Sequence, residues 1–206
     1  GLDFGFYNNR ITGSIDYYFK KTSDLLNTVS VASGTNFGNQ ITANIGDMEN
    51  EGIELNLTAS IVKKDRFTWD AGFNFTYNRN KITKLSNNDI GSLGVAAANS
   101  NIGFTAIQQQ TVGHPLNSFY VYQQVYDQSG KPIEGLYEDR NRDGVITEAD
   151  KYWFQSPAPQ QFYGFFSNFT YGKWNAGFSL RANVGNYMYN NIARGSSSLK
   201  SVFGNA

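Results

Sequence analysis

The residues best placed to do chemistry lie in one run, Asp139-Arg140-Asn141-Arg142-Asp143-Gly144-Val145-Ile146-Thr147-Glu148-Ala149-Asp150. Its spacing is that of a calcium loop, D-x-[DN]-x-[DN]-G with a carboxylate at the twelfth position. Oxygens at positions one, three and five converge, Gly144 at position six permits the sharp turn, the carbonyl at seven turns inward, and position twelve closes the shell. The expected ligands of a structural Ca2+ are therefore Asp139, Asn141, Asp143, the Val145 carbonyl and Asp150. Position twelve is Asp instead of the usual Glu, which shortens its reach, and neither flank reads as a helix. A solvated Asp/Asn/Gly turn without metal uses the same residues. In the calcium reading the ion is a clip that offsets repulsion among the carboxylates and fixes the shape of a long loop.

No other constellation supports chemistry. The single His114, in Val112-Gly113-His114-Pro115-Leu116, has no second histidine and no nucleophile to serve, and reads as part of a turn. Cysteine is absent, which excludes disulfides, thiolate zinc sites and thiol catalysis. The glycines fall in strands or turns and form no phosphate cradle. The chain is not expected to be an enzyme. With 17 basic and 17 acidic side chains in 206 residues, net charge makes no case for nucleic acid or for an anionic membrane surface. No run approaches the ~20 consecutive apolar residues of a spanning helix, and Gly1-Leu2-Asp3-Phe4 lacks the regions of a signal peptide.

The elements that must carry such a loop are read from an aromatic excess. Sixteen Phe, 13 Tyr and 3 Trp stand beside 21 Gly and only 4 Pro, a composition of strands joined by turns. Between Arg10 and Lys20 the chain alternates strictly, Ile11, Gly13, Ile15, Tyr17 and Phe19 against Thr12, Ser14, Asp16, Tyr18 and Lys20. The pattern returns at Ile53, Leu55, Leu57, Ala59 and Ile61, and again at Trp69, Ala71, Phe73, Phe75 and Tyr77. It returns once more at Trp174, Ala176, Phe178, Leu180, Ala182 and Val184. Weaker stretches at Leu2 to Tyr7 and Phe162 to Tyr171 bring the expected number of strands to about six. The apolar faces carry no formal charge, whereas Asp16, Glu54, Asp70 and Arg181 occupy the other face. Roughly 10 residues per strand suits a tilted strand crossing a bilayer, while globular strands commonly run about 5 to 6.

Connections sort by length in the same sense. Asn8-Asn9, Val62 to Arg66 and Gly172-Lys173 are tight, whereas Lys21 to Asn50 and Ser86 to Gln160 are long, as expected of periplasmic turns and extracellular loops. The expected fold is all-β, an antiparallel transmembrane β-barrel segment with long extracellular loops. About six strands cannot close a barrel, because open edges are not tolerated in lipid, so a larger barrel is expected, with residues 196–206 in another outer loop and 195–198 as flexible tract. Tyr17, Phe19, Trp69, Tyr77, Trp174, Tyr187 and Tyr189 read as interfacial girdle. Phe119, Tyr120, Tyr122 and Tyr126 fall in the longest loop, where they stack on sugar rings or pack against the loop itself.

Several segments in order resemble SusC/RagA-like TonB-dependent transporters. They are the opening Gly1-Leu2-Asp3-Phe4, then Asp16-Tyr17-Tyr18-Phe19-Lys20-Lys21-Thr22-Ser23-Asp24-Leu25-Leu26, Asn44-Ile45-Gly46-Asp47-Met48-Glu49-Asn50-Glu51-Gly52-Ile53-Glu54, Gly130-Lys131-Pro132-Ile133 and the Asp139–Asp150 loop. The resemblance covers nearly the whole chain and corresponds to the C-terminal part of the family's barrel. It implies residues 1–206 as part of a TonB-dependent receptor β-barrel of about 22 strands in the outer membrane of a Gram-negative, Bacteroidetes-like cell. It further implies a plug and a TonB box outside this chain, a capping SusD-like surface lipoprotein, and active import of oligosaccharides or peptides. Competing readings are a secreted, calcium-stabilised β-sandwich that binds glycans and a passive porin.

Overall fold

The computed structural model describes residues 1–30, 40–85 and 107–190. Four strands come first, β1 (Leu2–Phe6), β2 (Ile11–Ser30), β3 (Gln40–Lys64) and β4 (Phe67–Leu85). Five short ones follow: β5 (Gln108–Gln109), β6 (Ser118–Val121), β7 (Gln124–Tyr126), β8 (Pro132–Tyr137) and β9 (Tyr152–Trp153), with a 3-10 turn at Glu148–Asp150. Last are β10 (Gln161–Tyr171) and β11 (Trp174–Val184). The chain divides into two compact units, Gly1–Ser86 with Ala158–Asn186, and Asn87–Pro157 with Tyr187–Ala206.

The first unit is one six-stranded sheet in the order β1-β2-β3-β4-β10-β11, every neighbour antiparallel. Its register explains the alternation. Leu2, Ile15, Leu55, Phe75, Tyr163 and Ala182 form one rung across all six strands, and Phe4, Gly13, Leu57, Phe73, Phe165 and Leu180 form the next on that face. Directly opposed residues point the same way and successive residues point oppositely. The rung between these two is polar: Asp3, Ser14, Asn56, Asn74, Gly164 and Arg181. Among the described residues of the unit nothing covers the apolar face, where Ile15 is 44% exposed and Phe178 51%. Among the described residues only Ala71, Ile82 and Phe119 are buried apolar side chains. A water-soluble sandwich would bury one face of each sheet against the other; this sheet carries an uncovered, uncharged face instead.

That face ends in charge. Beyond the rung of Tyr17, Ile53 and Tyr77 come Glu51 opposite Arg79 and Lys21 opposite Glu49, with ion pairs of 4.0 and 3.1 Å. At the other end Trp69 stacks on Phe169, ring centroids 5.5 Å apart, and its Nε1 donates to Ser167 Oγ at 2.9 Å. From Trp69 to Tyr77 the chain runs roughly 26 Å at ~3.3 Å per residue, comparable with the ~25 Å apolar band of outer-membrane barrels.

Two expected loops contain strands among the described residues. The segment from Lys21 to Asn50 is mostly strand: β2 continues to Ser30 and β3 starts at Gln40, paired from Lys21↔Glu49 through Ser30↔Gln40. Irregularities between Thr22 and Leu25 and between Leu25 and Leu26, with Asp24 at φ 61°, shift the register there. A shift by one residue exchanges the two faces, and beyond the apolar band the residues do not alternate, so periodicity gave no signal. The segment from Ser86 to Gln160 likewise contains the second unit's β5-β6-β9 sheet and β7-β8 ribbon. Tyr187 and Tyr189 lie beyond the strands: β11 ends at Val184, Gly185 turns the chain at φ 85°, and Tyr187 packs edge-on against Phe154 at 5.1 Å in the second unit. Residues 195–198 and 196–206 lie outside the described residues.

Candidate functional site

The second unit is held by aromatic contacts. Trp153 of β9 lies 4.7 Å from Tyr120 of β6 and 4.9 Å from His114, and Phe119 is buried. His114 stands in the expected turn, its N–H directed at the Thr111 carbonyl (3.4 Å), and burial pushes its pKa below the usual histidine value. The Tyr122 ring lies tilted against that of Tyr137, centroids 5.3 Å apart, so three of the four loop aromatics pack against the loop itself while Tyr126 stays 59% exposed. Buried Lys151 pairs with Glu148 at 2.6 Å and lies 5.1 Å from the Tyr122 ring. Burial, then the Glu148 charge, raise the Tyr122 pKa above its ordinary value.

The Asp139–Asp150 loop sits between β8 and β9 and closes on its own backbone. Asp139 Oδ1 accepts from the N–H of Arg142 (2.7 Å) and Asp143 (3.2 Å), and its Oδ2 accepts from Gly144 N–H (2.7 Å). Asn141 Oδ1 accepts from Asp143 N–H at 3.0 Å, while Asn141 Nδ2 donates to Asp143 Oδ2 at 2.8 Å. Asp143 Oδ1 takes the N–H of Val145 at 2.8 Å. Arg142 and Gly144 adopt positive φ, 62° and 83°, the second being the position the spacing reserves for glycine.

Asp150 carries the closure. It is fully buried, and Oδ1 accepts from the N–H of Arg140 (2.9 Å) and Asn141 (3.3 Å). Its Oδ2 accepts from the N–H of Thr147 at 2.7 Å, while Thr147 Oγ1 accepts from Ala149 N–H and completes a capping box on the 3-10 turn. These donors, Thr147 N–H foremost, hold the Asp150 pKa below the usual carboxylate value. The side-chain oxygens of Asp139, Asn141, Asp143 and Asp150 thus each accept from N–H groups of the loop. Among the described residues no group of three or more His, Cys, Asp or Glu side chains is placed to hold a metal ion.

The sheet's polar face holds features that alternation did not reveal. Tyr18 crosses Gly52 to donate to Asn78 Oδ1 at 3.0 Å, and the ring of Phe166 fills the space a side chain at Gly72 would need. Phe162 and Phe166 therefore lie on the otherwise polar face, each opposite a small or polar partner, Thr76 and Gly72. The pairing of a large ring with a directly opposed glycine is a cross-strand signal, visible only once the register is known.

No protein-family model matches the chain. It is 50% identical over 192 residues to the TonB-dependent receptor SusC of Bacteroides thetaiotaomicron, a match covering 92% of this chain and 19% of that protein. A TonB-dependent receptor of Formosa agariphila is 31% identical over 205 residues, covering 92% and 20%. Among solved structures, one described as the RagAB peptide transporter superposes with a TM-score of 0.68 at 25% identity, over 91% of this chain and 20% of that one. A second, the RagAB peptide importer in a closed-closed state, gives 0.69 at 22% identity over 90% and 20%. The chain spans about a fifth of the length of the curated relatives it matches. With an antiparallel wall whose apolar face is uncovered and bounded by charge, and with these similarities along nearly its whole length, the chain belongs to the SusC/RagA-like TonB-dependent receptors.

Proposed function

We propose that the chain serves as barrel wall and outer-loop structure in an outer-membrane receptor that imports oligosaccharides or peptides. In this reading it works with a SusD-like surface lipoprotein, draws energy through TonB, and sits in the envelope of a Bacteroidetes-type cell. The observation that carries the reading is the six-strand register, which aligns an uncharged face bounded by aromatic and charged residues opposite a polar one. The apolar face then meets lipid and the polar face lines the lumen. The test uses the full-length receptor in its own cell. Uptake of an oligosaccharide or peptide should disappear on deletion of the receptor and also on deletion of TonB; uptake that survives loss of TonB identifies a passive porin.

We further propose that Ca2+ binds the Asp139–Asp150 loop through Asp139, Asn141, Asp143, the Val145 carbonyl and Asp150. The oxygen spacing and the glycine at its required position support this. Binding would require Asn141 to present its oxygen and Asp150 to exchange N–H donors for the ion. The double substitution D139N/D143N removes two charges at nearly constant shape, so calcium affinity should fall. Calorimetry and limited proteolysis of the full-length receptor, with calcium or with chelator, read this out. A loop whose heat and protease protection ignore calcium is a polar turn.

A further inference from the structure

We propose that Arg140 and Lys151 form a two-point clasp that couples the order of the Asp139–Asp150 loop to strand β6, so that whatever tightens or loosens the loop also tightens or loosens the sheet containing β6. The coupling is a property of the second unit's own contacts and stands with or without calcium in the loop. The two cations sit at opposite ends of the loop and reach the same stretch of chain. Arg140 Nη1 donates to Gln123 Oε1 at 2.9 Å, and its guanidinium lies 4.8 Å from the Tyr152 ring and 3.7 Å from Glu138. Lys151 Nζ donates to both Glu148 carboxylate oxygens (2.8 and 2.6 Å) and stands 5.8 Å from the Tyr120 ring and 5.1 Å from the Tyr122 ring. The same tyrosines hold the turn directly: Tyr120 O–H donates to the Glu148 carbonyl at 3.2 Å and Tyr122 O–H to Glu148 Oε1 at 3.3 Å.

Burial singles out Lys151. Its side chain is 5% exposed although that of its partner Glu148 is 71% exposed. Holding a lysine there costs hydration and rotamer freedom, and an ion pair with an exposed carboxylate returns little of it. The two tyrosine rings supply further attraction for the ammonium, and they belong to β6 and its link to β7, not to the loop. Asp150, next in the chain, is fully buried and accepts the N–H of Arg140, which ties the two arms of the clasp together at their base. Strand β6 precedes the loop in sequence and bonds elsewhere through its backbone: Phe119 N–H donates to the Gln155 carbonyl (3.0 Å) and Tyr120 N–H to the Ile107 carbonyl (2.9 Å). Protection of these two amides therefore reports on β6 and not on the loop. A second route from loop to β6 exists in the β7–β8 ribbon, where Tyr137 meets Tyr122 and Glu138 N–H donates to the Gln123 carbonyl at 3.0 Å.

The experiment is hydrogen exchange in the full-length receptor, with the disturbance placed away from the clasp. Gly144 has φ 83° and no atom within 4 Å of where a Cβ would stand, so G144V strains the loop backbone at a point where the new Cβ meets no neighbour. D139N supplies an independent disturbance by weakening the acceptor of the Arg142, Asp143 and Gly144 N–H groups. In either variant residues 139–147 should exchange faster, and Phe119 and Tyr120 should follow by about fivefold or more, the lower end of ordinary coupling between sites. The clasp is cut with R140Q/K151M, or with K151M alone; Glu148 is exposed, so neither orphans a buried charge and the receptor should still fold. In the cut receptor G144V or D139N should still loosen the loop while Phe119 and Tyr120 keep the cut receptor's own rate. A loosened loop that leaves Phe119 and Tyr120 unmoved with the clasp intact overturns the inference. Equal transmission with the clasp cut overturns it too, since the ribbon then carries the coupling.

Discussion

Asp150 shows how much a single residue type and spacing disclosed, and where they stopped. The spacing named five donors in one run; it did not reveal that the carboxylates of Asp139, Asp143 and Asp150 would each be engaged by backbone N–H groups. That outcome depends on the path of the chain between Asp139 and Asp150, above all on the positive φ at Arg142 and the capping box at Thr147. The consequence for pH follows from sign. The Asp150 pKa is depressed in the folded loop below its ordinary 3.8, so ionised Asp150 stabilises the loop above the unfolded value, and the contribution is lost as pH falls through the folded one. Hydrogen exchange of residues 139–150 should therefore stay slow from neutrality to about pH 4 and accelerate below it. In D150N the same amides should exchange fast at every pH, because a neutral amide accepts more weakly and offers one oxygen where the carboxylate used two. A variant protected like wild type at neutral pH would show that the charge does not hold the loop.

At the scale of the element, strand positions inside the apolar band were legible because an apolar face set against a polar one imposes period two on sequence. Outside the band that demand lapses. Strands β2 and β3 continue beyond it with polar residues, a bulge and no alternation, and were invisible as strands for that reason. The rings on the polar face were hidden for another: Phe166 breaks the polar pattern because its true partner is Gly72, far away in sequence and directly opposite in register. A Cβ at Gly72 would collide with the Phe166 ring, so Gly72→Val forces the ring out or the strands apart. Such overpacking costs typically ~1–3 kcal/mol, and the full-length receptor should lose that much stability in urea unfolding from lipid vesicles. Thr58→Val changes a β-branched residue on the same rung without crowding it and should be nearly neutral. If the two variants unfold alike, ring and glycine do not interlock.

At the scale of the molecule, the proposed function turns on which face of the wall meets lipid, and charge placement in the sequence assigns lipid to the apolar one. The register sets Ile15, Leu55, Phe73 and Phe178 on one face of the sheet, and Ser14 and Asn74 on the other. What sequence did not supply was the second folded unit, because its short strands of two to six residues carry no period to read and its order comes from ring stacking and side-chain hydrogen bonds. Orientation can be tested by adjacent positions on one strand, which share depth and differ only in face. Arg at Phe73 places a charge on the outward face, where midplane cationic substitutions in membrane barrels cost roughly 2–4 kcal/mol. Arg at Asn74, one residue along, projects into the polar side, where water solvates it and the cost should be much smaller. Refolding the full-length barrel into vesicles over a urea series measures both penalties against wild type. F73R far costlier than N74R is the expected order; equal penalties, or the reverse, would place water on the face assigned to lipid.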